Sequence, residues 1–363
     1  GSGTTPRTYK DNYYADGEIN WIQSGDLHGK YLKSTSKKIT HIAFDRTSSL
    51  KMYFPQYLVL AMYGASVGNL SISTIEACTN QACCVLTREK DDLNYMYYVL
   101  MAAKEYLVYS AVGGTQPNIS QNVIKRLRIP IPVNAEQQKI ADFLDEKCAE
   151  LDNMLEKTRA SIEEYKKLKQ AVITQAVTKG IRGNREMKDS GIEWIEEIPV
   201  EWEERRIKTL FSMREERNFS SLEEVNLISL YTDLGVVQHS ELEKTTGNKA
   251  SNADGYKMVY KDDIVVNIIL CWMGAIGCSE YNGVTSPAYD IYIPQNEVLS
   301  KFYHYYFRTK GFSGDCYKRG RGIMAMRWRT YSDQFRDIRV VYPSLNEQQE
   351  IVNYLDEKCS AID

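Results

Sequence analysis

A stretch of 21 residues occurs twice in this chain of 363 residues, and the duplication limits the folds that the chain can adopt. Residues 132–152 read PVNAEQQKIADFLDEKCAELD, and residues 343–363 read PSLNEQQEIVNYLDEKCSAID. The offset is 211 residues, and the run Leu-Asp-Glu-Lys-Cys is identical in both copies. Solenoid repeats have periods of about 20–50 residues, so a period above 200 predicts a duplicated domain.

Weaker matches upstream of each copy extend the duplication. Asp26-Leu27 resembles Asp233-Leu234, and the glycine run at 64–68 resembles the run at 274–277. We therefore expect each half to contain a β-rich globular domain, a strand that ends at a proline, and a Glu-Gln-Gln helix. The predicted boundaries are 1–132 for the first domain, 133–180 for the first long helix, 181–343 for the second domain and 344–363 for the start of the second helix.

The segment 134–179 contains no Gly or Pro and is predicted to be one helix. Asn134 is a candidate N-cap with Gln137 at the third helical position, and Gly180 follows as a stop signal. Apolar or small residues recur in alternating steps of four and three, a heptad pattern typical of a coiled-coil seam. The predicted fold class is α+β, with two duplicated mixed α/β domains joined by long coiled-coil helices.

The globular halves show short strand and helix signals. Apolar runs with β-branched and aromatic residues predict strands at Tyr57 to Met62 and at Asp263 to Leu270. Amphipathic helices are expected at Asp92 to Tyr109 and at Ser300 to Arg308. No apolar run is long enough to cross a bilayer and no signal peptide opens the chain, so we expect a cytoplasmic protein without membrane contact.

The motifs of several catalytic chemistries are missing from the sequence. Eight cysteines form no Cys-x-x-Cys pair and four histidines have no paired spacing, so neither a zinc site nor a disulfide framework is expected. There is no Walker A run and no Asn/Asp-Pro-Pro-Tyr/Phe run. The Asp-Glu-Lys runs at 145–147 and 356–358 fit half of a nuclease site, but on a coiled-coil helix they are better interpreted as solvated charges. We predict no catalytic residue and no metal ligand.

Several motifs together resemble the specificity subunits of type I restriction–modification systems. They are the Pro-x-x-x-Glu-Gln-x-x-Ile run at 132–140 and 343–351, the Leu-Asp pair at 144–145 and 355–356, the Gly-Ile-Glu-Trp-Ile-x-x-Ile-Pro-x-x-Trp run at 191–202, the Gly-Asp-Leu run at 25–27 and the Gly-Gly-Thr-Gln-Pro-Asn-Ile-Ser run at 113–120. In that family both domains open with a Trp-x-x-Ile-Pro run, and the two long helices form an antiparallel pair. Because the first domain has no such opening and the second helix reaches only Asp363, a truncated chain is expected.

The resemblance implies a non-catalytic subunit that recognises a bipartite target in double-stranded DNA, one half with each domain, while the helices fix the distance between the halves. The implied partners are two adenine-methyltransferase subunits and the restriction subunits, which translocate DNA. This chain would bind no cofactor itself, since S-adenosylmethionine, ATP and Mg²⁺ would be bound by the partners. Two other hypotheses stay open: a stand-alone or fused DNA methyltransferase or nuclease, and a coiled-coil scaffold without a DNA role.

The second domain contains a concentrated basic stretch. Residues 301–339 carry ten basic and three acidic residues, although the formal charge of the whole chain is -3. Arginine forks fit phosphate and the O6 and N7 atoms of guanine, and intervening glycines let the backbone approach a duplex. The predicted DNA-contacting residues here are Lys318, Arg319, Arg321, Arg327 and Arg329. The alternative is a solvated basic loop.

Two stretches of the first domain are further candidates for DNA contact. The basic residues are Lys30, Lys33, Lys37, Lys38 and Arg46, for which solubility is the alternative role. The turn residues are Thr115, Gln116 and Asn118, for which turn capping is the alternative role. Gln and Asn side chains pair with adenine through two hydrogen bonds, so this turn has the chemistry to read bases.

The duplicated helix starts are the predicted docking sites for partner subunits. The residues are Glu136, Gln137 and Gln138 in the first copy and Glu347, Gln348 and Gln349 in the second. Two similar helix starts would offer two similar surfaces to two copies of one partner. Helix capping is the alternative role for these residues.

We predict that the isolated chain neither methylates nor cleaves DNA, because every catalytic run sought is absent. Incubation with DNA, S-adenosylmethionine, ATP and Mg²⁺ should give no methyl transfer and no strand cleavage. The positive control adds a cognate methyltransferase subunit and uses a chain whose missing ends have been restored. Turnover that depends on this chain alone would contradict the prediction.

Overall fold

The chain folds into two compact units. A computed structural model describes residues 1–87, 90–111, 117–239, 252–322 and 328–363. The first unit is Gly1–Lys157 and the second is Thr158–Asp363, so the division lies inside one continuous helix, α5 (Asn134–Lys179). None of the helices in the described ranges is long and apolar enough to span a bilayer.

The first unit combines two small sheets with helices. Its elements before α5 are β1 (Ile19–Ile22), β2 (Tyr31–Leu32), β3 (Lys38–Ile39), α1 (His41–Asp45), β4 (Tyr57–Ala61), β5 (Leu70–Ser73), β6 (Cys78–Thr79), β7 (Cys83–Leu86), α2 (Leu93–Ala102), α3 (Lys104–Tyr109) and α4 (Gln121–Arg126). The sheet orders are β3-β1-β6 and β2-β5-β4-β7. All five residues of β4 are buried, which confirms the strand predicted from the apolar run at 57–62.

The second unit is richer in short strands. Its elements after α5 are β8 (Met187–Asp189), β9 (Glu197–Pro199), β10 (Glu203–Arg206), α6 (Ile207–Leu210), β11 (Phe211–Met213), β12 (Ile228–Tyr231), β13 (Gly235–Gln238), β14 (Lys257–Val259), β15 (Ile264–Asn267), β16 (Ile276–Cys278), β17 (Gly283–Thr285), β18 (Tyr289–Pro294), α7 (Ser300–Phe307), α8 (Lys310–Arg319), α9 (Ser332–Arg336), β19 (Arg339–Tyr342) and α10 (Leu345–Ile362). The largest sheet has the order β11-β18-β15-β16, and α7 packs its aromatic residues against the core of this unit.

Both units contain the same antiparallel core. Strands β5-β4-β7 of the first unit and β16-β15-β18 of the second follow the same order. Leu60 pairs with Leu70 and Val266 pairs with Ile276, a common offset of 206 residues. At this offset Gly274 is equivalent to Gly68, and both have positive φ (91° and 80°). The sequence match, which set the run beginning at Gly64 against the run beginning at Gly274, is corrected accordingly. The predicted α+β class with duplicated mixed domains is confirmed.

The long helix has the predicted bounds, but its start differs in detail. Asn134 is the first helical residue rather than the cap, since the N–H groups of Glu136 and Gln137 bond to the carbonyl of Val133. Gly180 ends the helix with a φ of 76°, a conformation that favours glycine.

The predicted apolar seam of α5 is covered only near its C-terminal end. Ile173, Ala176 and Val177 are buried in one cluster with Ile351 and Leu355 of α10. Between residues 151 and 168 the large apolar residues of α5 are exposed by about half or more, namely Leu151, Met154, Leu155, Ile162, Tyr165 and Leu168. The last turns of α5 therefore pack into the same core as α10 in the second unit.

One helix expected from the sequence is divided in the structure. The segment predicted at Asp92 to Tyr109 forms α2 and α3, which are separated at Ala103. Its counterpart, predicted at Ser300 to Arg308, is the single helix α7. The strand predicted at Asp263 to Leu270 is shorter and spans only β15.

A buried ion pair connects α10 to the opening segment of the second unit. Glu347 is 4% exposed, pairs with Arg185, and accepts a hydrogen bond of 2.9 Å from the Trp202 indole. At the offset of 211, neither Arg185 nor Trp202 has a counterpart among residues 1–157, and the equivalent Glu136 is exposed. The same glutamate therefore stabilises only the second unit in this way.

We expect Glu347→Ala to destabilise the second unit by about 3–5 kcal/mol, because it leaves Arg185 buried without its main partner. Glu136→Ala is the matched control and should change stability by no more than about 0.5 kcal/mol, since that side chain is exposed. Four of the five tryptophans lie in the second unit, so denaturant unfolding followed by tryptophan fluorescence measures the relevant transition. Equal effects of the two substitutions would contradict this assignment.

Candidate nucleic-acid interface

Two of the predicted arginines are joined by their backbones in the second unit. The N–H of Arg321 bonds to the carbonyl of Arg329 at 2.8 Å, and the N–H of Arg329 bonds back at 3.0 Å. Both residues are exposed, and within the described part of the chain neither side chain has a hydrogen bond or an ion pair. Two guanidinium groups are thus available to an external ligand from one short β-bridge.

Aromatic residues pack next to this β-bridge. Trp328 stacks on Tyr317 at 5.1 Å, and its indole N–H donates to the Tyr317 carbonyl at 3.0 Å. Tyr317 in turn contacts Trp272, which is partly buried against the core. A Cβ on Gly320 would lie 2.3 Å from the Trp328 indole nitrogen, so glycine is required there. Rigid packing next to Arg321 and Arg329 lowers the entropy lost on binding.

The other predicted cations of this cluster differ in availability. Lys318 forms an ion pair with Glu193 at 2.5 Å, and Arg319 lies 3.9 Å from Asp337. Both pairs are solvent-exposed, so each contributes little to stability and competes only weakly with an external phosphate. Arg327 lies outside the described residues.

In the first unit, four of the five predicted basic residues are exposed. Lys33, Lys37 and Lys38 follow one another between β2 and the start of β3, and Arg46 is the C-cap of α1. No ion pair involves these four side chains in the described part of the chain. They form a basic surface segment that is free to contact phosphates.

Lys30 has a different environment from the other predicted lysines. It is paired with Asp145 of α5, and its ammonium lies 4.8 Å from the Tyr98 ring centre and 5.7 Å from that of Tyr97. Its side chain is only 16% exposed. The structure therefore gives Lys30 a role inside the first unit, where an external DNA strand has little access to it.

Only one of the three predicted turn residues is within the described ranges. Asn118 is exposed and forms a β-bridge with Tyr63, which is also exposed. Neighbouring backbone bonds fix this bridge: Gly64 N–H donates to the Pro117 carbonyl at 3.0 Å and Ile119 N–H to the Met62 carbonyl at 2.9 Å. Thr115 and Gln116 lie outside the described residues.

The first glutamine of each Glu-Gln-Gln run is buried, and both its oxygen and its NH₂ group are hydrogen-bonded. The Gln137 amide oxygen accepts from Asp92 N–H, the N-cap of α2, at 2.8 Å, and its NH₂ group donates to Asp91 and to the Pro132 carbonyl. Gln137 is 1% exposed. This side chain joins the start of α5 to the start of α2, so it faces the interior rather than a partner subunit.

Gln348 makes the equivalent contacts in the second unit. Its amide oxygen accepts from Leu299 N–H, the N-cap of α7, at 2.8 Å, and its NH₂ group donates to the carbonyls of Glu297 and Pro343. Gln348 is fully buried. Glu347 is buried as well, whereas Glu136, Gln138 and Gln349 are exposed. Only these three of the six predicted docking residues are accessible to a partner.

A second duplicated contact was missed by sequence reasoning. Asp145 accepts a hydrogen bond of 2.5 Å from Tyr98 of α2, and Asp356 accepts one of 2.6 Å from Tyr305 of α7. A lysine pairs with each aspartate, Lys30 in the first unit and Lys301 in the second. The recurrence of the Leu-Asp pair was the available signal, but its tyrosine partners lie 47 and 51 residues away.

The Asp145 carboxylate is held in the ionised form by its partners. Burial alone would raise the pKa of Asp145, but the hydrogen bonds from Lys30 and Tyr98 outweigh it, so its pKa lies below the ordinary value. Burial and the bond to the carboxylate raise the pKa of Tyr98, and the same two causes raise the pKa of Tyr305. Both tyrosines therefore stay protonated as donors. Within the described ranges, no group of three or more His, Cys, Asp or Glu residues is arranged to hold a metal ion.

Comparison with known proteins shows which family this chain resembles. Residues 2–164 match the family model described as the type I restriction modification DNA specificity domain. This chain is related to the type I specificity subunits. The resemblance inferred from the duplicated motifs is thereby confirmed.

Two curated relatives from Methanocaldococcus jannaschii show the extent of the match. The MjaVIII specificity subunit is 23% identical over 58% of this chain and 45% of its own length, and the MjaIX specificity subunit is 31% identical over 39% of this chain and 34% of its own length. The chain thus spans less than half the length of these curated relatives.

Two solved structures share the fold of this chain. The HsdS subunit from Thermoanaerobacter tengcongensis has a TM-score of 0.56 at 14% identity and covers 95% of this chain and 83% of its own. A chain from a study of complex assembly and conformational transition of the type I R-M system has a TM-score of 0.66 at 12% identity, with coverages of 95% and 84%. At these identities the likeness establishes the fold.

Adjacent glutamines of α10 provide a test of the interior role. We expect Gln348→Ala to destabilise the second unit by at least about 1–3 kcal/mol, because it leaves buried N–H and C=O groups without partners. Gln349→Ala removes only an exposed bond to Asn353 and should leave the unfolding midpoint within error. Unfolding followed by tryptophan fluorescence compares them; a stable Gln348→Ala protein that fails to bind a partner subunit would restore the docking role.

Proposed function

We propose that the chain is the DNA-recognition subunit of a type I restriction–modification complex and that each unit reads one half of a bipartite target. The observation that carries the proposal is the duplicated core, in which each unit has exposed polar or cationic side chains without a partner among the described residues. The family match over residues 2–164 supports a DNA specificity role for the first unit. The shared core extends the proposal to the second unit.

The DNA surface of the second unit is centred on Arg321 and Arg329, because neither guanidinium group forms an ion pair within the described part of the chain. In the first unit the proposed surface is formed by Lys33, Lys37, Lys38 and Arg46, together with Asn118. Basic side chains that neutralise phosphates release counterions, so binding should weaken steeply as the salt concentration rises. Sequence is read by hydrogen bonds to base edges in the grooves, and an exposed amide such as that of Asn118 can form them.

The proposed partners are two adenine-methyltransferase subunits and the restriction subunits, with S-adenosylmethionine, ATP and Mg²⁺ bound by them rather than by this chain. Docking is assigned to the exposed residues at the two helix starts, Glu136, Gln138 and Gln349. The buried pair Gln137 and Gln348 would instead hold each helix at the angle the partners require. The names of the curated relatives, which are all specificity subunits, favour this role over a methyltransferase or a nuclease.

We expect Arg321→Ala and Arg329→Ala each to weaken DNA binding. A base-reading arginine should cost about 1–3 kcal/mol and relax specificity at one target position, while a phosphate contact should lower the salt slope by about one. Lys261→Ala removes an exposed positive charge from the turn before β15 and is the matched control. Fluorescence anisotropy with target and non-target duplexes across a salt series measures both effects. Unchanged affinity and an unchanged salt slope in both arginine variants would show that the cluster is a solvated loop without a role in DNA binding.

A further inference from the structure

The two units present different side chains from one shared backbone position. An offset of 211 connects Asn118 with Arg329, and the same offset connects Pro132 with Pro343 and Gln137 with Gln348. No insertion or deletion therefore separates this position from the start of the long helix in either unit. Upstream, the offset is 206 or 207, so the length difference lies before Asn118 and Arg329.

Hydrogen bonds show that the two positions are equivalent in space as well as in sequence. Ile119 N–H bonds to the Met62 carbonyl just after β4, and Thr330 N–H bonds to the Ile268 carbonyl just after β15, both at 2.9 Å. Ile119 and Thr330 are fully buried. Each unit thus fixes the residue that follows the exposed position against the end of the same core strand.

The following turn is also shared. Ser120 and Tyr331 are the N-caps of α4 and α9, which bury Ile124 and Phe335 at the same offset of 211. Further backbone hydrogen bonds hold the exposed position itself or the residue before it. They run from Gly64 N–H to the Pro117 carbonyl in the first unit and between Arg321 and Arg329 in the second. A side chain on a backbone that is fixed on both sides has the precision that base recognition needs.

We propose that Asn118 and Arg329 are equivalent base-reading residues, with Asn118 specifying an adenine in the first half of the target and Arg329 a guanine in the second. The proposal rests on the DNA-recognition function above. An asparagine amide matches N6 and N7 of adenine, and a guanidinium matches O6 and N7 of guanine, each through two hydrogen bonds in the major groove. Both side chains are exposed and have no partner among the described residues.

The difference in charge favours a base contact over a phosphate contact at this position. A position that served only to neutralise phosphate would need a cation in both units, whereas the first unit has a neutral amide there. Hydrogen-bonding capacity is what the two side chains share. Residues 112–116 and 323–327, which lie outside the described ranges, are not part of the proposed site.

Reciprocal substitution tests the proposal. The full specificity subunit, assembled with its methyltransferase partner, is used to select binding sites from random duplex DNA, followed by sequencing. Asn118→Arg should replace adenine by guanine at one position of the first half-site, and Arg329→Asn should make the opposite change in the second. Each should lower affinity for the original site about 5- to 150-fold.

Two conservative variants separate base reading from charge and from folding defects. Asn118→Gln should keep the adenine preference, while Arg329→Lys should lose the guanine preference and keep the salt slope. Folded Asn118→Arg and Arg329→Asn variants that retain the wild-type base preferences would overturn the proposal. A loss of affinity in Arg329→Lys with the guanine preference intact would do so too. Failure of the wild type to select any sequence would instead reject the proposed DNA-recognition function.

Discussion

Three hydrogen bonds from one buried glutamine per unit determine how each duplicated helix leaves its globular core. In both Gln137 and Gln348 the side-chain oxygen accepts a hydrogen bond from the N–H of a helix N-cap residue, and the NH₂ group donates to two oxygen atoms. A tyrosine–aspartate bond follows eight residues later, about 12 Å along the helix. Two contacts at that separation define the direction in which the first turns of each helix run relative to their own unit.

The fold also sorts the basic residues that composition alone cannot distinguish. Lys30 and Lys301 look as suitable for a phosphate as any other lysine, yet each is paired with an aspartate of the helix. The lysine comes from the loop before β2 in one unit and from α7 in the other, so the ion pair recurs although the position of the lysine does not. What recurs between duplicated domains is thus the interaction at the helix, supplied from different points in the chain.

A duplicated core that carries different exposed side chains in its two copies suits the proposed recognition of two different DNA half-sites. The strand order, the capped short helix and the glutamine contacts are common to both units, whereas Asn118 and Arg329 differ in charge and in hydrogen-bond pattern. Buried positions are held by packing and by satisfied polar groups, so changes there cost several kcal/mol. An exposed position on the same backbone changes at little cost in stability, and specificity can differ without a change of fold.

The sequence by itself determined the duplication, the bounds of α5, one central core strand in each unit and the resemblance to the type I specificity subunits, because these depend on local periodicity and on motifs that are read along the chain. The tertiary structure alone decided which predicted residues face solvent. Four of the predicted site residues instead have partners inside the protein, namely Gln137, Gln348, Glu347 and Lys30. These partners lie 45, 49, 162 and 115 residues away along the chain. Pairing across such separations depends on how strands and helices pack, and a single sequence carries no direct signal of it.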